Sequence, residues 1–248
     1  MEELWRELQM ARSIAVLTGA GVTSGTGAAR ALGGRTLAAQ FGPADLATGQ
    51  QFAQNPAAVW QLFQSRRALL AARGPDKAHL ALAELERRKT LTLLTLNTDD
   101  LHERAGSRKV VKLRGDLWWM RCTKCGRPWR DGRAVLAPLP PVCACGGIAR
   151  PGVTWFDEPV PETEFKQAEA AVRSAGLLLV AGVTARLVVV AQLAAVARRA
   201  GCRLVELQDP AATPSGAADC TIAGDLGDML EAAVSRVRPF EDTLEPCL

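Results

Sequence analysis

Six short apolar runs limit what this chain can fold into more than any other feature. They are "SIAVLT" from Ser13, "LTLLTL" from Leu91, "VVKL" from Val110, "LLLVAG" from Leu177, "RLVEL" from Arg203 and "CTIAG" from Cys220. Val and Leu follow one another without the polar alternation of a half-exposed strand, so the runs suit strands covered on both faces. Most end in Gly or a small polar residue, and most are followed by helical periodicity. That alternation predicts an α/β fold, a doubly wound parallel (Rossmann-like) sheet that binds ligands at the carboxyl ends of its strands. Two stretches break the rhythm: residues 31–80 are helical with Pro and Gly punctuation, and residues 118–156 hold four cysteines and little periodicity. The expected layout is a Rossmann-like domain from 1–30, 81–117 and 157–248, a helical insert over 31–80, and a small zinc-ribbon domain over 118–156.

Composition excludes little. At 248 residues, 48% apolar and 23% charged, the chain is ordinary for a folded domain carrying a small insert. The N-terminal "MEELWRELQMARS" has acids where a signal peptide needs bases. Residues 177–197 are apolar enough to suggest a membrane span. Arg186 falls near their middle, however, where insertion costs about 2.5–3.5 kcal/mol, and Gly182 and Thr184 break the run like a strand-to-helix turn. A cytoplasmic chain with no membrane partner is expected, its cysteines reduced, metal-bound or buried.

The net charge of +4 does not by itself call for a nucleic-acid partner, but it is unevenly placed. Arg114, Arg121, Lys124, Arg127, Arg130 and Arg133 face only Asp116 and Asp131 in the same stretch, a local excess equal to the whole chain's +4. A solvated face is the simpler reading of these bases. Packing of a zinc module on its host is the simpler reading of the interleaved Trp118, Trp119 and Trp129, so nucleic acid is not expected as a partner.

Three motifs carry chemistry. "LTGAGVTSGTG" (17–27) runs a strand into a glycine-rich turn that lets backbone approach a phosphate, although Ser24 takes the third glycine position of G-x-G-x-x-G. Cys122-x-x-Cys125 is followed after 17 residues by Cys143-Ala-Cys145. Four thiolates at that separation can close a tetrahedral structural zinc site with no position left for catalysis. "TLNTDDLHERAG" (95–106) places Asn97, Asp99 and Asp100 at a strand end and His102 just inside the next helix. This cluster is site-like, though it could equally be a helix cap.

Taken in order, these features resemble the sirtuins, the NAD-dependent protein lysine deacylases. "TGAGVTSGTG" is similar to the family's G-A-G-x-S-x-x-S-G loop, and "TLNTDDLHERAG" to its T-Q-N-x-D-x-L-H-x-x-A-G segment. "KLRGDLWWMRCTKCG" resembles the E-x-H-G strand end leading into the first zinc pair. "CACGGIARPGVTWFDEPVP" resembles the second pair followed by G-G-x-x-R-P-x-V-V-W-F-G-E. "AGVTARLVV" and "VELQ" resemble later nucleotide-contacting segments. The resemblance covers nearly the whole chain. It implies structural zinc and a site for NAD or ADP-ribose. It makes Arg114, Asn97 and Asp99 the catalytic positions, and Gly19, Ala20, Gly21, Thr23, Asn97, Asp99, Gly182, Thr184 and Gln208 the cofactor-binding ones. Val153, Trp155 and Phe156 become substrate-binding. Phe63 and Arg66 match the Tyr-x-x-Arg by which the acidic-acyl branch holds a carboxylate, without the tyrosine's hydroxyl; a solvated surface arginine reads equally well for Arg66.

The departures fall around the reacting ribose. Arg114 stands where the family has the histidine that takes a proton from a ribose hydroxyl. A guanidinium has no acceptor atom and stays protonated at physiological pH, so it cannot be that base. Leu96 replaces a Gln, Ala31 and Leu32 a Phe-Arg pair, Ala28 and Ala29 an Ile-Pro, Val183 a Thr, and Gln208 an Asn. The expectation is a sirtuin-like protein that binds NAD or ADP-ribose between its domains, meets an acylated or acidic peptide or protein, and has lost or strongly weakened deacylation. The alternative is an active deacylase, NAD glycohydrolase or ADP-ribosyltransferase whose base is Asp99, Asp100, water or substrate.

Overall fold

The structure is a computed structural model that describes residues 2–23, 47–155, 157–183, 187–210 and 215–239. The apolar runs become six parallel strands: β1 (Ser13–Thr18), β2 (Thr90–Thr95), β3 (Val110–Lys112), β7 (Leu177–Ala181), β8 (Arg203–Gln208) and β9 (Cys220–Ala223). Their order in the sheet is β3-β2-β1-β7-β8-β9. The chain starts in the middle, winds outward through β2 and β3, then returns beside β1 as β7 and winds out the other way. The carboxyl ends of β1 and β7 therefore flank the topological switch point, where open α/β sheets place their ligand crevice.

Both faces of the sheet are covered, which explains the unbroken apolar runs. Val16, Leu93, Leu179 and Val205 point to one side, into a core with α1 (Glu2–Met10), α4 (Lys77–Arg88) and α8 (Leu226–Ser235). Leu17, Leu94, Leu178 and Val180 point to the other, against α6 (Glu162–Ser174) and α7 (Val188–Ala200). Each fully buried Leu or Val contributes about 1.5–3 kcal/mol over exposure. The apolar stretch 177–197 is divided between β7 and α7, and among the described residues no helix is long and apolar enough to cross a membrane.

A third core lies outside this sandwich. α2 (Gly49–Gln54) and α3 (Pro56–Ala71) pack against a small antiparallel sheet of β5 (Pro128–Arg130), β4 (Gly115–Cys122) and β6 (Ala149–Val153), in that order. Trp60, Phe63, Leu117, Trp118, Met120 and Trp155 fill it. Asn55 caps α3 by accepting from the Ala58 N–H at 3.1 Å, and Pro56 sits at the first helical position. Of the expected helical insert, residues 31–46 lie outside the described residues. The short α5 (Leu101–Ala105) completes the fold, following β2 directly.

Candidate functional site at the strand ends

At the switch point two turns interlock. A 3-10 turn (Ala20–Thr23) follows β1, and its Gly21 N–H donates to Gly182 O at 2.8 Å, just beyond β7. Gly182 has φ +62°, and a Cβ there would lie 2.6 Å from Gly21 C and Val22 N. Only glycine lets the two backbones meet so closely. The sequence reading assigned Gly21 to the approach of a phosphate and Gly182 to a strand-to-helix turn; the structure also gives them each other. Asn97 ties β2 to the same turn, its Nδ2 donating to Gly19 O at 3.2 Å. Thr23 Oγ1 donates to Ala20 O at 2.6 Å, and Thr23 O accepts from Arg73 Nη2 at 2.9 Å. At the end of β8 Gln208 is buried, with no partner for its Nε2 among the described residues. An orphaned amide at the mouth of the sheet is a donor that a polar ligand would satisfy. Thr184 lies outside the described residues.

Asp99 is buried beside β2. Its Oδ1 accepts from the Leu101 N–H at 3.0 Å and its carbonyl accepts from Lys112 Nζ at 2.7 Å. Burial pushes the carboxyl up to about 6, although the Leu101 N–H and the Lys112 charge pull the other way. His102 lies just inside α5, as expected, and is structural: buried, with Nε2 2.9 Å from Thr18 Oγ1 and its ring centroid 4.5 Å from that of His79. Burial, with His79 and Lys112 adding to it, drives its pKa down to about 2, and burial with Arg73 drives His79 down to about 4. Both imidazoles are neutral.

Arg114 sits at the turn between β3 and β4. Its Nη2 donates to the carbonyls of Thr154 and Trp155 at 3.3 and 2.9 Å, just past β6. Burial lowers its pKa, and the charge of Glu158 works against that shift. The next residue, Gly115, has φ +75°, and a Cβ there would lie 2.3 Å from Gly152 O. Glu158 braces the segment after β6 by accepting from both Arg150 terminal nitrogens at 2.8 and 2.9 Å and from the Trp155 N–H at 2.9 Å. Burial opposes its ionisation, but these donors hold its carboxyl below the usual range.

Three of the expected substrate contacts are core residues: Phe63, Val153 and Trp155 are 1, 8 and 1% exposed. Phe63 and Trp155 meet edge to face at 5.5 Å, with an interplanar angle of 80°. Arg66 lies 4.9 Å over the Phe63 ring, and burial lowers its pKa to about 10. Phe156 lies outside the described residues.

The four cysteine sulfurs all lie within 4.8 Å of one another, with Cys122–Cys145 at 3.4 Å and Cys125–Cys143 at 3.9 Å. Four sulfurs at the zinc–thiolate bond length of about 2.3 Å form a tetrahedron with edges of about 3.8 Å. The cluster therefore fits zinc. The N–H of Cys125, and then that of Lys124, lowers the Cys122 thiol to about 6, favouring the thiolate that a metal needs.

A model of the Sir2 family matches residues 19–189. The chain belongs to the Sir2 family. It is 36% identical over 233 residues to "NAD-dependent protein deacylase 2" of Pyrobaculum aerophilum, covering 93% of each chain. It is also 36% identical over 240 residues to "NAD-dependent protein deacylase 1" of Archaeoglobus fulgidus, covering 96% of this chain and 98% of that one. Among solved structures, a Sir2 homologue in complex with NAD superposes with a TM-score of 0.83 at 35% identity, covering 95% of this chain and 93% of that chain. A mutant Sir2 homologue with ADP-ribose gives 0.84 at 34% identity, covering 95% of both.

Sequence reasoning missed two buried polar residues of this sirtuin, Arg67 and His79. Arg67 is fully buried, and its Nε and Nη2 donate to Leu117 O at 3.0 and 2.8 Å while Nη1 donates to Arg133 O at 3.1 Å, pinning α3 to β4. A helical arginine next to another arginine reads as solvated surface, and only the tertiary contacts distinguish them. His79 was missed because its partner His102 is remote in sequence.

Proposed function

We propose that this sirtuin binds NAD or ADP-ribose at the switch-point crevice, with NAD-dependent lysine deacylation lost or strongly weakened. Bound NAD supplies an electrophilic ribose carbon from which nicotinamide departs. Gly19, Ala20, Gly21 and Thr23 would face its phosphates with Thr184, Asn97 and Asp99 would meet the nicotinamide side, and Gly182 and Gln208 the adenine ribose. The observation that carries the reading is Arg114. Its guanidinium stands where a proton acceptor is needed, offers none, and is engaged with the Thr154 and Trp155 carbonyls. Loss of a positioned general base lowers rate by about 10²–10⁴. An acylated or acidic peptide fits as the second partner, with Arg66 the side chain that would meet an acidic acyl group. The zinc cluster would hold the small module together, and the reduced thiols fit a cytoplasmic chain.

Calorimetry with NAD and ADP-ribose, beside nicotinamide release from acetyl-, succinyl- and glutaryl-lysine peptides, tests this. Binding without release is expected, and release at ordinary sirtuin rates would sink it. Arg114→His is expected to raise release only in part, because Leu96 and Val183 remain.

One observation favours a second reading. Asp99 is held near 6, close to the range in which a carboxylate works as a general base. If it takes the missing histidine's role, weak deacylation will rise through about pH 6 and Asp99→Asn will abolish it without weakening ADP-ribose binding.

A further inference from the structure

The crevice makes no use of the basic, tryptophan-bearing stretch of the zinc module. Packing accounts for Trp118, which is 4% exposed, and for Trp129, which is partly buried. It does not account for Trp119, which is 42% exposed. Along β4 the side chains alternate, so Met120 and Cys122 face inward while Trp119 and Arg121 share the outer face. On that face Arg130 of β5 lies directly across from Trp119, and Arg121 lies across from Pro128 on one side and Arg150 on the other. Gly152 of β6 comes so close that a Cβ there would sit 2.7 Å from Trp119 Cβ.

The cations on this face are not equivalent. Arg150 is spent on Glu158, and nearby Arg133 on Asp131. Arg121 and Arg130 are exposed, and beyond the backbone pairing of the strand ladder their side chains make no hydrogen bond or ion pair among the described residues, so two uncommitted guanidinium groups flank an exposed indole. A groove of about 610 Å³ runs along the same face, its far wall formed by the loop after β6 and the start of α6. That volume lies in the range of nucleotide-sized sites. Glu164 and the Arg150-paired Glu158 also line the groove, while Arg130 lies beyond its lining, across from Trp119, so an anionic backbone would run along the edge between Arg121 and Arg130.

We propose that this face binds single-stranded nucleic acid, with a base stacked on Trp119 and neighbouring phosphates held by Arg121 and Arg130. An acidic peptide would use the arginines and have no need of the indole. A duplex keeps its bases stacked and offers Trp119 nothing to stack on. Unstacked bases on a sheet-borne aromatic between cations use every group present. This departs from the expectation drawn from sequence, which could not show that Trp119 alone of the three tryptophans faces outward. It does not depend on the function proposed for the crevice.

Fluorescence anisotropy of a labelled oligothymidylate of about 12 nucleotides against the zinc-loaded full chain tests it. Binding is expected at about 50 mM salt, falling as salt rises. Trp119→Ala should weaken it roughly 5- to 150-fold and Trp119→Phe much less, since a ring is kept. Removing both arginines should flatten the log–log salt slope by about 1.4, whereas Arg108→Ala with Lys109→Ala should leave affinity unchanged. Zinc content and thermal midpoint of each variant confirm folding. The proposal is overturned by absence of binding at low salt, by an unchanged affinity in folded Trp119→Ala, or by equal competition from polyglutamate, which would mark an acidic-peptide face.

Discussion

A single side chain separates two functional readings of the crevice, and its chemistry is decided by what a guanidinium lacks. Arg114 keeps its five donors and has no acceptor at any pH the fold survives. Three buried titratable groups elsewhere in the fold, His79, His102 and Asp99, are unusual in the opposite sense, because burial favours their neutral forms. His79 and His102 titrate at about 4 and about 2 when folded and near 6.5 when unfolded. Between about pH 4 and pH 6 the unfolded chain therefore gains two protons that the folded chain does not. That stability is present above about 6.5 and is lost as pH falls. Asp99 has the reverse sign: held at about 6 in the fold, it keeps a proton that the unfolded chain sheds above about 3.9. In the shared window the net difference from these three groups is one proton, so stability should fall by roughly 1.4 kcal/mol per pH unit on acidification. Asp99→Asn should steepen this to roughly 2.7 kcal/mol per pH unit. Urea midpoints across the window measure the slope, and equal slopes for wild type and variant would refute the assignment.

At the scale of elements, the main sheet was legible in the sequence because its strands are buried on both faces, and two-sided burial writes an unbroken Val/Leu run. The small sheet was not legible as strands. β5 spans only Pro128–Arg130, β6 carries Pro151 and Gly152, and the module is held by cysteine ligands and by a neighbour's side chain, none of which writes a period. The zinc ligands were readable from spacing alone, and the glycines of the first turn from the motif that follows the first apolar run. The direction of Arg114, the burial of Phe63 and Trp155, and the work of Arg67 depend on contacts between segments far apart in the chain. Arg67 reaches from α3 to carbonyls at Leu117 and Arg133, and desolvation lowers its pKa to about 10, with nearby Asp131 and Asp116 working against that shift. Arg67→Ala should therefore cost about 3 kcal/mol or more, since it leaves two carbonyls without their donor and opens a cavity under Trp60 and Trp118. Chemical denaturation reads this directly. A loss below about 1 kcal/mol would show that water replaces the guanidinium at little cost.

For the whole molecule, three cores imply two levels of cooperativity. The sheet of β1–β3 and β7–β9 buries Leu and Val on both faces with helices drawn from the chain before and after it, and nothing in those two cores involves a cysteine ligand. The third core holds α2, α3 and β4–β6 around Trp60, Trp118 and Trp155, and its sheet ends in the four-thiolate cluster. Structural zinc sites supply folding energy outright, so a chelator should act on this module first. Hydrogen exchange with and without chelator should show faster exchange in β4 and β6 and in α3, whose Trp60 Nε1 donates to Ala149 O at 2.7 Å. Amides of β1, β7 and β8 should stay protected. Because Arg114 donates to carbonyls just past β6, loosening that strand should also free its guanidinium from Thr154 and Trp155 and weaken ADP-ribose binding. If metal removal instead melts the six-stranded sheet in one transition with the small module, the two are a single cooperative unit and the division by cores is wrong.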